Sequence, residues 1–191
     1  MTMAAKPAAG LTVWTIGHST RPLDEFLGLL AEYRIEQIAD VRRFPGSRKF
    51  PQYGQAALEQ QLAVHGIAYR WLPELGGRRR TSVDSPNTGW RSAAFRGYAD
   101  YMASAEFADG LAELLDLALE RRTALMCAEA VWWRCHRGLI ADALCVAGAE
   151  VVHVLDATHA IVHPMTPPAR IRDGRLSYAA DPAAAESGAP S

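Results

Sequence analysis

Residues able to attack, ligate or carry protons crowd into one short stretch, Thr123 to Arg137, which reads TALMCAEAVWWRCHR. Cys127 and Glu129 close the apolar run Ala124-Leu125-Met126. Cys135, His136 and Arg137 follow after a loop that holds Trp132 and Trp133. An ionised thiol is a nucleophile or a metal ligand, and a carboxylate or imidazole moves protons. After Arg137, the residues Leu139, Ile140, Ala143, Leu144 and Ala147 recur at helical spacing and stop at Gly148. The second group therefore opens a helix, where free N–H groups and the dipole favour anions and lower thiol pKa values. Cys135, flanked by Arg134, His136 and Arg137, is expected to be the acidic thiol. Cys127, beside Glu129, is expected to resist ionisation. Cys145 falls in the apolar pattern of the helix and reads as core.

Each group also has a structural reading. Cysteine is commonly a small buried hydrophobe, a histidine commonly caps or packs, and the two tryptophans either wall a pocket or anchor the loop. Zinc ligands usually come in short pairs such as C-x2-C, whereas seven residues separate Cys127 from Cys135. A fourth ligand would have to come from afar, for instance His18, so no metal ligand is assigned and the cofactor is left open. Six residues between Cys127 and Arg134 also miss the C-x5-R loop of cysteine phosphatases.

The elements that must position these groups follow from the apolar pattern. Strands are expected at Leu11–Ile16, Gln37–Val41, Ile67–Leu72, near Ala124–Met126, and at Glu150–Leu155. Helices are expected from Pro22, over residues 55–65, from Phe95 to about Arg122 with a break near Ser104–Glu106, and after Arg137. The alternation predicts an α/β fold: one three-layer domain with a mainly parallel sheet of about five strands, in an order the pattern does not give. Residues 1–10 read as a disordered lead, 11–163 as the domain and 164–191 as a largely irregular tail. Residues 78–92 have loop composition and are a candidate lid. The C-terminal ends of parallel strands share one edge, where ligands bind. His18 and Ser19 follow the first strand, Asp40 and Arg42 the second, and Glu74, Gly76 and Gly77 the third. Cys127 and Glu129 follow the fourth, and Asp156 the fifth. That convergence is the main argument for a site.

Charge adds to it. The chain has 191 residues and a net charge of −1, yet ten cations lie between Arg42 and Arg96 against Glu59, Glu74 and Asp84 alone. The run RRFPGSRKFPQYG interleaves cations with Phe44, Phe50 and Tyr53, a composition suited to phosphate contacts and base stacking, or to a rigid loop with solvated charge. The opening MTMAAKPAAG lacks the apolar run of a signal peptide, no window reaches the ~20 apolar residues of a membrane helix, and three cysteines give no disulfide framework. A cytoplasmic protein with no membrane partner is expected.

TIGHST, DVRRFPGSRKFPQYG, LPELGG, FRGYADYM and CAEAVWWRCHR together resemble the bacterial and archaeal family called domain of unknown function 488, from about Thr15 to Asp156. The resemblance implies an α/β fold. It places His18, Ser19, Asp40, Arg42, Pro45, Gly76, Gly77, Cys127, Glu129, Cys135, His136 and Arg137 on the family pattern, with no secure activity attached. A looser, fold-level likeness links the DVR segment and the cysteine-ended strand to rhodanese-type sulfurtransferases.

The resulting expectation is an enzyme acting on an anionic, phosphate-bearing substrate, with nucleotide or nucleic acid as the first reading and the reaction unknown. Arg42, Arg43, Arg48 and Arg137 would hold the anion, with Ser19, Gly76 and Gly77 beside them. Asp40, Glu74, Glu129, His18 or His136 would manage protons. Cys127 or Cys135 would be nucleophile or ligand. The alternatives are a non-catalytic nucleic-acid-binding module and a thiol sulfurtransferase.

Overall fold

A computed structural model describes residues 10–46 and 48–180, and everything below concerns those residues. The five expected strands are present as β1 (Thr12–Gly17), β2 (Gln37–Asp40), β3 (Ala68–Trp71), β4 (Thr123–Cys127) and β5 (Glu150–Val154). Between them lie α1 (Leu23–Glu32), α2 (Gln55–Val64), α3 (Ala93–Tyr101), α4 (Ala105–Glu120) and α5 (Arg137–Val146). The break expected near Ser104 separates α3 from α4. The Ser104 side chain accepts a hydrogen bond from the Phe107 N–H and so caps α4.

All five strands are parallel, and a short sixth, β6 (Ala160–Val162), adds antiparallel to β5. The order is β3-β2-β4-β1-β5-β6. Side chains alternate across each strand, so β4 buries Ala124 and Met126 on one face and Leu125 and Cys127 on the other. Phe26 and Leu30 of α1 and Leu58 and Leu62 of α2 pack on the first face. Tyr98 of α3, Leu114 of α4 and Leu139 and Ile140 of α5 pack on the second. Right-handed crossovers demand this split, because the chain runs outward from β1 to β3 through α1 and α2 and returns to β4 and β5 through α3, α4 and α5. The connections of β4 and of its neighbours β1 and β2 therefore leave towards opposite faces. A crevice must open above the C-terminal end of β4.

Of the tail expected to be largely irregular over residues 164–191, residues 181–191 lie outside the described residues, and the part to residue 180 contains regular structure. It folds back as the hairpin β7 (Arg170–Arg172) and β8 (Arg175–Ser177), turned by Asp173 and Gly174, both at positive φ. Asp142, wholly buried in α5, is what draws it in. The Asp142 carboxylate accepts hydrogen bonds from the Thr166 N–H and hydroxyl, from the Tyr178 hydroxyl at 2.8 Å and from His163 Nε2 at 2.8 Å. The tail thus buttresses the helix that carries Arg137. Residues 78–92, a candidate lid by composition, are pinned to α3 instead: Asp100 accepts from the Ser82 N–H, the Ser85 hydroxyl and the Asn87 side-chain amide. No helix among the described residues is long and apolar enough to cross a membrane.

Candidate active site

A pocket of about 430 Å³ opens where the topology requires it. Arg42, Arg43, Phe44 and Gly46 from the loop after β2 form one wall. Gly77 and Arg78, from beyond β3, join Ala94, Phe95 and Tyr98 of α3 to form another. The floor and remaining wall are Cys127, Ala128, Glu129, Arg134, Cys135 and His136. The volume suits a small molecule.

Cys127 and Cys135 meet because the loop between them is tied at both ends. Leaving β4, the chain bonds across β1: the His18 N–H donates to Cys127 O at 3.0 Å and the Ser19 N–H to Ala128 O at 2.9 Å. Gly17 permits that approach, since a Cβ there would lie 1.8 Å from Glu129 O. Arg137, only 1% exposed, clamps the loop from the other side, donating from Nη2 to Glu129 O and Ala130 O and from Nη1 to the Thr15 hydroxyl at 3.4 Å. Trp132 stacks on His153, with ring centroids 4.5 Å apart, and anchors the middle of the loop; Trp133 is exposed. A short 3-10 turn at Trp132–Arg134 then returns the chain, and Cys135 arrives beside Cys127.

The two sulfurs lie within 4.8 Å of each other and split their acidity. The neighbouring Cys135 thiol and burial push Cys127 well above its ordinary value. Burial opposes ionisation of Cys135 as well. The neighbouring Cys127 thiol and His136 outweigh it and hold Cys135 well below the usual thiol range. Cys145 is half-buried, and burial raises its thiol. His136 Nε2 lies 3.1 Å from Val41 O. A carbonyl only accepts, so Nε2 carries a proton, and Nδ1 faces the sulfurs, 3.6 Å from Cys135 Sγ. Gly77 leaves that nitrogen room, because a Cβ at 77 would fall 2.8 Å from Nδ1.

Of the site residues expected from sequence, Arg42, Arg43, Gly77, Cys127, Glu129, Cys135 and His136 line the pocket. The others do not, for physical reasons. Asp40 is fully buried and grips Arg42, which donates to both carboxylate oxygens; Tyr69 adds a further donor at 2.7 Å. Arg42 also donates to Tyr53 O at 2.7 Å, so its guanidinium is occupied and an anion would have to displace it. His18 lies behind this pair, stacked on Tyr53 with centroids 4.0 Å apart. Burial and the Arg42 charge pull its pKa down to about 4. Ser19 contributes only its backbone to the β4 loop, and Arg137 is the clamp just described. Glu74 packs its Cβ against Gly110 of α4, and Gly76 packs on Arg43. Arg48 is exposed and outside the pocket.

Arg78, Arg134, Phe95 and Tyr98 also line the pocket without having been marked as site residues in the sequence, whereas Phe44 belongs to the cation–aromatic run already noted. Arg134 sits one residue from a candidate nucleophile, and Tyr98 belongs to the FRGYADYM segment, so both carried a readable signal. Arg78 and Phe95 reach the pocket only through the path of the 78–92 loop.

A thiol pair and an imidazole at the switch point of a doubly wound sheet make this an α/β domain with a cysteine–histidine pocket. Its family is the Domain of unknown function DUF488, to which the chain belongs by a match over residues 22–144. The match takes in the loop after β2, Gly76, Gly77 and the whole Cys127–Arg137 stretch, and starts beyond His18 and Ser19. No curated protein and no solved structure matches the chain.

Proposed function

We propose that the protein is an enzyme that binds a small phosphate-bearing molecule, a nucleotide in the first instance, and acts on it at the Cys127–Cys135–His136 floor. One observation carries this reading: Arg43, Arg78 and Arg134 rim a pocket whose lining includes a single carboxylate, Glu129. Guanidinium forks match phosphate oxygens, and the Phe44 and Phe95 rings beside them offer a flat apolar surface to a base. Glu129 and His136 are the groups placed to move protons.

The same charges argue against an extended nucleic-acid surface. Much of the basic segment is spent internally: Arg42 on Asp40, Arg70 on Glu113, Arg79 on the Gly76 and Pro73 carbonyls, and Arg96 on Trp90 O.

Calorimetric titration with nucleoside monophosphates at low salt tests the proposal. Arg134→Ala is expected to weaken binding tenfold or more, since a hydrogen bond to a charged group contributes about 1.5–3 kcal/mol. Arg70→Ala, outside the pocket, should leave it unchanged. Absence of binding, or equal loss in both variants, would overturn the reading.

A second reading, sulfur transfer, is favoured by the facing thiols. One thiolate would attack the outer sulfur of thiosulfate, taking it as a persulfide and releasing sulfite. Incubation with thiosulfate should then add one sulfur atom to the mass of the peptide carrying Cys127 or Cys135. An unchanged mass excludes this route.

A further inference from the structure

Cys127 Sγ, Cys135 Sγ and a ring nitrogen of His136 all lie within 4.8 Å of one another. From this we infer that the pocket floor is a three-ligand site for one zinc-class metal ion, with the fourth coordination position open to the pocket. The inference deepens the proposed function by naming what the pocket floor holds. It concerns the same pocket, but it does not depend on the substrate.

Geometry is the first support. Zn–S bonds of about 2.3 Å and Zn–N bonds of about 2.0–2.1 Å at tetrahedral angles place sulfur and nitrogen ligands roughly 3.5–3.6 Å apart. Cys135 Sγ and His136 Nδ1 are 3.6 Å apart. The ring is also prepared for the task. A metal-bound imidazole characteristically donates its other N–H to a carbonyl or carboxylate, which fixes the tautomer and aims the lone pair. His136 does so through Nε2 to Val41 O, across the chain from the loop after β2. Gly77 adds a third point, because any side chain there would crowd Nδ1 on the pocket side.

The donor set selects the ion. Two sulfurs and an imidazole are soft to borderline ligands that suit zinc and exclude magnesium, calcium and manganese from preference. Structural zinc sites are closed by four protein ligands, whereas catalytic ones keep three and leave a position for water or substrate. The short paired C-x2-C spacing belongs to closed, four-ligand sites. His18, the distant residue considered as a fourth ligand, is turned away, with Nδ1 on Ser19 O and Nε2 towards Arg42. The fourth position instead opens to a pocket that Glu129 also lines. A carboxylate there could serve a bound water as general base.

The test is a cobalt titration of the reduced, chelator-stripped full chain. One Co²⁺ per chain is expected, with a thiolate-to-cobalt charge-transfer band in the near ultraviolet and the intense visible bands of tetrahedral cobalt. Zn²⁺ should displace it and abolish both. Cys145→Ser should behave as the parent, while Cys135→Ser and His136→Gln should each weaken binding a hundredfold or more. Should those variants fail to fold, alkylation of the parent decides: Zn²⁺ must protect Cys127 and Cys135 and leave Cys145 reactive. A weak octahedral spectrum, or zinc that leaves all three thiols equally reactive, would overturn the inference. Nucleotide binding measured on the stripped protein separates the two proposals, since it tests the arginine rim without the metal.

Discussion

Replacing Gly77 by alanine puts a methyl group 2.8 Å from His136 Nδ1 and 3.2 Å from the Cε1 and Cγ of the same ring. Gly77 is not at positive φ, so alanine fits the backbone and gains about 0.4–1 kcal/mol from a stiffer unfolded chain. Against that stands overpacking, typically about 1–3 kcal/mol in a well-packed setting. The ring has little freedom to yield: Nε2 holds Val41 O at 3.1 Å, and the Tyr98 ring lies 5.1 Å away. The difference leaves Gly77→Ala destabilised by about 0–2.6 kcal/mol, centred on about 1.3 kcal/mol. The functional loss should be larger. Tilting the imidazole breaks the Nε2 bond that aims Nδ1, and losing such outer contacts costs about 10–100-fold in metal affinity. Urea unfolding gives the stability change, and cobalt titration gives the affinity. Full stability together with parent-like cobalt affinity would refute the reasoning, because the methyl group would then have found room that the packing denies it.

Other perturbations test other parts of the molecule. Asp40→Asn leaves the buried Arg42 guanidinium without its counter-charge and should cost about 3–5 kcal/mol in urea unfolding; a change below about 1 kcal/mol would show the pair to be solvated. His18 and His153 are held neutral, at about 4 and about 2, chiefly by burial, with Arg42 adding to the first and His163 to the second. Both pKa values lie below the unfolded value of about 6.5, so their full stability is present above that pH. As pH falls below it the unfolded chain takes up more protons, and each histidine removes up to about 1.4 kcal/mol per pH unit, His18 levelling off near its folded value. Urea midpoints at pH 7.5, 6 and 5 should fall in that order, and a flat profile would contradict the burial of these rings. Tyr178→Phe removes one donor from buried Asp142 and should cost about 1–3 kcal/mol, with the tail opening first in hydrogen exchange.

The positions of β1 to β5 were legible because a mainly parallel sheet is buried on both faces and writes continuous apolar runs into the sequence. Their order was not, since no run records its neighbours. β6 has only three residues, too few to show a period. The hairpin of β7 and β8 carries a turn signal in Asp173-Gly174, but β7 is exposed, β8 only half-buried, and three residues each are too few to show a period. At the pocket, the end of β4 brings Cys127 and Glu129, and the start of α5 brings Cys135 and His136, to one lining, as their spacing implied. Strand ends also nominated Asp40 and Arg42, which chiefly hold each other, because a motif gives residue types and not their partners. Arg137 was legible as a charge beside the thiols. Its role as the clamp on the Glu129–Ala130 carbonyls exists only once β4, β1 and α5 are assembled.

The pocket as an anion site is most directly tested by where a heavy phosphate mimic binds. Crystals of the full chain grown without phosphate or sulfate and soaked in tungstate would locate it by anomalous scattering. The expected peak lies among the guanidiniums of Arg43, Arg78 and Arg134, above the Cys127–Cys135–His136 floor, and vanishes in Arg134→Ala. A pocket that stays empty while tungstate occupies other arginines would contradict the account.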